Sequence, residues 1–307
     1  MRKSDDIGHA SRVGGPHRID EMNIPTHIYI GGLISSYCYA VEEFGMHLQQ
    51  LARQGMLGPE IGSMRRALTF TCSEFGCSPT VTYGKRQLEL SSIPNVFQWT
   101  TRETRDTELA EIKSLYIPHC TALRALIASM ETGLSLQSVI WLDRLNWDGR
   151  NHNGKIDSDF FPLRLQNYKV RKTMTVYMSH RLHDLLRREQ GFQESFTDAN
   201  VYAPVKYEES RYNEILPLFR AAKSGLAISL SACSDAWKRL LVGFEGFYIE
   251  RTGEHYVLPI RTPSAYRAMF QMSIAARALN PKTTAMTPNQ YRAMTALYVK
   301  PSSQEDE

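Results

Sequence analysis

The chain has 307 residues, 42% of them apolar and 22% charged, which is enough apolar material for one large or two modest packed domains and excludes a disordered chain. No apolar run reaches the roughly 18 residues of a membrane span, and the polar opening MRKSDDIGHASRVGGPHRID lacks the apolar stretch of a secretory signal, so a cytoplasmic protein with no membrane partner is expected. Cys38, Cys72, Cys77, Cys120 and Cys233 are odd in number and widely spread, which reads as reduced thiols and not as a disulfide framework.

In chain order, residues 1–24 mix charge, glycine and histidine without periodicity and are expected to form a mobile arm. Ile28, Tyr29 and Ile30 are β-prone and stop at Gly31-Gly32; Tyr37, Val41, Phe44, Leu48 and Leu51 then recur at helical spacing, which predicts an amphipathic helix over 35–54 closed by Gly55. A helix is expected over 60–68, and a hairpin over 79–90 with Gly84-Lys85 at its tip. Two helices over 103–116 and 118–131 are expected to pack as a pair, the second opened by Pro118 and closed by Gly133, with the apolar pattern continuing through 135–145. The polar stretch Asn146–Asp159 is the best candidate boundary, dividing a helical domain at 25–146 from a second unit at 147–300. That unit is expected to hold a basic strand and helix, a helix over 208–223 broken at Pro217, a helix over 235–241, a hairpin over 247–260 turning at Thr252-Gly253, and helices over 264–279 and 288–298. Residues 301–307 form an acidic tail. There is no internal repeat, and the sum is a helix-rich α+β fold.

A net charge of +4 identifies no partner by itself, but its distribution is uneven. Between Arg164 and Arg188 seven basic residues (Arg164, Lys169, Arg171, Lys172, Arg181, Arg187, Arg188) face one acid, Asp184, an excess larger than that of the whole chain. Within this segment Met174, Val176 and Met178 alternate with Thr173, Thr175 and Tyr177. Strand side chains alternate between faces, so one face is apolar and the other carries hydroxyls able to touch base edges. Ser179 then stands where a helix cap belongs, Leu182, Leu185 and Leu186 form an apolar stripe, and Gly191 is expected to end the helix. A lone strand needs an antiparallel partner, and the same strand of a second subunit is the expected one.

This order of parts, strand Thr173–Met178, turn at Ser179 and helix His180–Gln190, resembles the ribbon-helix-helix DNA-binding motif over roughly 20 of the 307 residues. The resemblance implies a homodimer on double-stranded DNA. Thr173, Thr175 and Tyr177 would read bases, Met174, Val176 and Met178 would face the dimer core, and Arg164, Lys169, Arg171, Lys172, Arg181, Arg187 and Arg188 would grip phosphates. The chain departs from the pattern after Gly191, where a second helix should follow at once; Gln193–Lys206 has weak periodicity and contains Pro204, so an insertion or a short helix over 195–202 would have to fill that place. In size and in this element the chain also resembles the AcaB-type regulators of mobile IncC plasmids and related integrating elements, which implies a transcriptional regulator that switches on conjugative transfer.

Other constellations are weaker. Gly149–Phe160 echoes a calcium loop but has Gly149 and Phe160 where the two strongest carboxylate ligands belong. Cys72, Cys77, His119 and Cys120 offer soft ligands at a spacing awkward for tetrahedral zinc, and His180 and His183 read as facing solvent or phosphate. No phosphate-binding loop, dinucleotide fingerprint, nucleophile elbow or HExxH motif is present, so neither an enzyme nor a cofactor is expected. The rival expectation is a nucleic-acid-coating or shell-forming assembly protein, such as a viral nucleoprotein or capsid subunit or an RNA-guided effector subunit.

Overall fold

The structure is a computed structural model that describes residues 24–57, 65–83, 86–105, 112–149, 161–167, 172–197, 204–205, 214–222 and 224–252. The expected arm, the acidic tail, the helices at 264–279 and 288–298 and most of the calcium-like loop lie outside them.

Helix α1 (Ile24–Arg53) is continuous, so the Ile28–Ile30 run expected as a strand and Gly31-Gly32 after it are helical. Leu33, Ile34, Tyr37, Val41, Phe44 and Leu48 are all buried on its inner side, and burial of that stripe carries the helix through residues whose local preference is extended. Gly55, at φ 70°, follows its end.

Among the described residues eight strands form four separate antiparallel ribbons: β1 (Thr69–Thr71) with β4 (Ser92–Pro94), β2 (Thr80–Tyr83) with β3 (Arg86–Glu89), β5 (Gln98–Arg105) with β6 (Ile112–His119), and β7 (Phe161–Asn167) with β8 (Lys172–Met178). A two-stranded ribbon is marginal alone, and each here packs against a helix or an extension of the same core. The β2–β3 hairpin matches the expected one. The helix expected over 103–116 is instead the β5–β6 hairpin, in register from Gln98 opposite His119 to Arg105 opposite Ile112. Its charged middle imitated the polar face of a helix; pairing of Thr- and aromatic-rich flanks, with Trp99 stacked on Tyr116 at 5.5 Å, decided otherwise. The segment expected to be a helical domain therefore holds six strands.

Helix α2 (Thr121–Thr132) ends at Gly133 in the left-handed region at φ 72°, as its sequence predicts. Ser135 caps the short α3 (Leu136–Ile140), accepting from the Ser138 amide. Helix α4 (His180–Glu194) follows β8, and α5 (Leu230–Thr252) closes the described chain. Residues 247–252, expected in a hairpin, belong to α5, because Phe244, Phe247 and Tyr248 continue its buried face. Residues 214–222 are irregular, tied down by isolated bridges such as Asp143 to Pro217 and Arg220 to Ala227, where part of a broken helix was expected.

The protein is mixed α+β. One apolar cluster runs from Leu33 to Tyr248 and takes in Leu163, Leu165, Val176, Met178 and Leu185 beside α1, α2 and α5, so the core is continuous across residues 146 and 147. Among the described residues no helix is long and apolar enough to cross a membrane.

Candidate nucleic-acid interface

The basic segment folds as a hairpin followed by a helix. Strand β8 finds an antiparallel partner in the same chain, in β7, where the same strand of a second subunit was expected. The register sets Pro162 opposite Tyr177, Leu163 opposite Val176, Arg164 opposite Thr175, and Gln166 opposite Thr173. Residues directly opposite one another in an antiparallel pair share a face. Leu163, Leu165, Val176 and Met178 are buried, so Val176 and Met178 face the chain's own core and not a dimer seam. Thr175 is exposed and Tyr177 is 49% exposed on the other face, beside half-buried Arg164.

The ribbon is seated from both ends. The Arg164 amide donates to the Trp147 carbonyl at 2.8 Å and Leu163 bridges to Asp148, so residues 147–149 run along the outer edge of β7. A Cβ on Gly149 would lie 2.8 Å from the Pro162 carbonyl oxygen, so the close approach requires glycine there. At the other end Ser179 caps α4 by accepting from the Leu182 amide at 3.1 Å, and donates to the Glu131 carboxylate at 3.1 Å. Phe161 stacks on His183 with ring centroids 4.3 Å apart and meets His180 edge-on at 4.5 Å, joining the start of β7 to the first turn of α4. The apolar stripe Leu182, Leu185 and Leu186 is fully buried.

Helix α4 runs through Gly191 to Glu194. Phe192 and Gln193 are buried beyond the glycine: Phe192 packs edge-on against His119 at 5.0 Å, and Gln193 donates to Glu189 at 2.8 Å. That burial offsets the roughly 1 kcal/mol that a glycine costs inside a helix.

The basic side chains fall into two groups. Arg187 pairs with Asp148, and Arg188 reaches Glu42 of α1 at 3.1 Å. His183, expected to face solvent or phosphate, is buried, with Nε2 3.2 Å from Asp148 and Nδ1 3.6 Å from Asp184. Arg181 lies with its guanidinium carbon 3.5 Å above the Tyr39 ring, a cation–π contact that leaves its edge exposed, and neither Arg181 nor Arg164 has a carboxylate partner among the described residues. Lys169 and Arg171 lie outside the described residues, as do the side chains of Lys172, Thr173 and Met174. Of the residues predicted for the site, the ribbon thus brings Arg164, Thr175 and Tyr177 together.

Beneath the site lies a charge cluster that sequence reasoning missed. Arg124 of α2 is 1% exposed and contacts Glu42 of α1 at 2.8 Å and Glu189 of α4 at 2.9 Å. Thr121 and Gln193 also donate to Glu189, each at 2.8 Å. Burial alone would lower the Arg124 pKa, but the adjacent Cys120, Glu189 and Glu42 together outweigh it and hold the guanidinium above its usual value. The signal was available: Arg124 interrupts the apolar run of TALRALIASM, and Glu42 sits amid an apolar helical face. His119 is likewise consumed by structure, 2.8 Å from the Thr100 hydroxyl and packed between Phe192 and Phe196, and burial pushes the neighbouring Cys120 thiol up to about 12.

No protein-family model, curated protein or solved structure matches this chain.

Proposed function

We propose that the protein is a sequence-specific double-stranded-DNA-binding regulator that lays the β7–β8 ribbon into the major groove. The observation that carries this reading is the two-faced ribbon, apolar side anchored in the core, with Thr175 and Tyr177 outward beside a guanidinium that no carboxylate among the described residues neutralises. A two-stranded ribbon fits the major groove, where hydroxyl and amide groups distinguish all four base pairs. Arg181 at the start of α4, and Lys169, Arg171 and Lys172 in the sequence between and at the start of the strands, supply charge for phosphates.

Because the ribbon is complete within one chain, a homodimer has a different task from closing the sheet: it would set two ribbons on two half-sites about one helical turn apart. The ribbon-helix-helix and AcaB-type likenesses, and with them a role in switching on conjugative transfer, remain part of this proposal. Their support is the order strand, capped turn and helix. The assembly-protein reading is favoured by no comparable feature of the ribbon.

The decisive measurement is binding to the DNA upstream of the protein's own gene across a salt series. Thr173→Ala, Thr175→Ala and Tyr177→Ala together should sharply reduce preference for specific over random duplex, at about 1–3 kcal/mol for each base-reading side chain removed, with the thermal transition unchanged. A clear fall in the triple variant's preference for the specific site supports the reading; undiminished preference for the specific site refutes it.

A further inference from the structure

We infer that Arg164 reads a guanine from the centre of the ribbon face, in place of the phosphate contact that its charge alone suggests; this rests on the major-groove reading above. The register sets Arg164 directly opposite Thr175, one pair along from Leu163 and Val176 and two from Pro162 and Tyr177. Opposed residues of an antiparallel pair have Cβ atoms about 5 Å apart on one face. Whatever groove surface Thr175 touches, the longer Arg164 side chain therefore reaches as well.

Three further observations favour Arg164 over Arg187 and Arg188. Its backbone is pinned on both edges, paired with β8 on one side and donating to the Trp147 carbonyl at 2.8 Å on the other. Its two neighbours are anchors, Leu163 fully buried and Leu165 at 5% exposure, so the position from which the side chain projects is fixed. Base reading needs that fixity, because the donors must meet two acceptors in one plane; a phosphate contact tolerates a mobile partner. Finally, Arg187 and Arg188 have their charges matched by Asp148 and Glu42, while Arg164 has no ion-pair partner among the described residues. A guanidinium presents two parallel N–H groups, and the major-groove edge of guanine presents the matching O6 and N7 acceptors. Thr175 beside it could accept, donate, or set its methyl group against a thymine on the adjacent pair.

The test is selection of binding sites from a random duplex pool by the full-length protein, repeated with Arg164→Lys and Arg164→Ala. Lysine keeps the charge but lacks the planar fork. The wild type should select a motif with one strongly preferred guanine, whose replacement lowers its affinity by about tenfold or more. Both variants should lose preference at that position alone, with the rest of the motif retained, and both should keep a salt slope near that of the wild type, because the slope tracks phosphate contacts. Thermal melting checks folding, and Arg164→Lys carries the test should the alanine variant be unstable. Retention of the guanine preference by the lysine variant would overturn the assignment in favour of a phosphate contact and leave the ribbon reading standing. If the wild type selects no motif while binding all duplexes alike, the assignment and the ribbon reading fall together.

Discussion

Arginine is used in opposite ways in two neighbouring regions of the molecule. At the junction of α1, α2 and α4, Arg124 is withdrawn from water and enclosed by Glu42 and Glu189, whereas on the ribbon and the first turn of α4 Arg164 and Arg181 have no carboxylate partner among the described residues. A count of basic residues therefore overstates the charge a surface can offer. Of the four arginines described between 164 and 188, Arg187 and Arg188 are matched by Asp148 and Glu42, acids far away in sequence. The junction also serves the ribbon, because Glu42 holds Arg188 while Glu189 holds Arg124, fixing α4 and through its Ser179 cap the end of β8.

The largest effect should come from breaking the buried side of this comparison. Arg124→Met leaves two buried carboxylates without their shared countercharge and should cost about 3–5 kcal/mol in urea denaturation, whereas adding Glu42→Gln and Glu189→Gln should recover much of that loss. A cost under about 1 kcal/mol would show that the junction is not the anchor described.

A smaller effect should separate the two kinds of surface arginine. Arg181→Gln should reduce the slope of log affinity against log salt by about one unit, because Arg181 is exposed and forms no ion pair with a carboxylate among the described residues. Arg187→Gln should change the slope less and stability more, since it deprives Asp148 of a partner. Binding isotherms at several salt concentrations, with melting curves alongside, read both quantities; equal slope changes would erase the distinction.

The smallest effect concerns Glu131, which accepts from Ser179 at the root of the ribbon. Burial raises its carboxyl above the ordinary glutamate value, against the opposing influence of the Tyr39 and Ser179 hydroxyls and the Arg181 charge. A carboxyl raised on folding contributes stability that is fully present below its unfolded value, about 4.3, and is lost as the pH climbs through the folded value. Glu131→Gln should therefore gain stability relative to wild type as the pH is taken from about 4 to about 7, as followed by thermal melting. A relative loss over that range would reverse the sign assigned here.

Local pattern settled a good deal in advance. The alternation at Thr175–Met178, the Ser179 cap, the leucine stripe of α4, the β2–β3 hairpin and the glycine stop at Gly133 all depend on near neighbours and on which side chains seek burial, and periodicity expresses that directly. The hairpin across 103–116 was hidden because its polar residues suit a helix surface equally well, and only the cross-strand register from Gln98 opposite His119 onward favours the strand. The partner of β8 was hidden for the same reason, since Phe161–Asn167 gives no sign of which strand it will meet.

An α+β chain with a surplus of positive charge, and a two-faced strand beside a capped amphipathic helix, thus follow from the order of residues. That the strand is completed within the chain, that Arg164 stands opposite Thr175, and that Arg187 and Arg188 are spent on acids from other segments became visible only in three dimensions. The physical reason is range: helix faces and caps are set by residues within about one turn, whereas strand partners and ion pairs are chosen by whichever distant groups the shared core brings into contact.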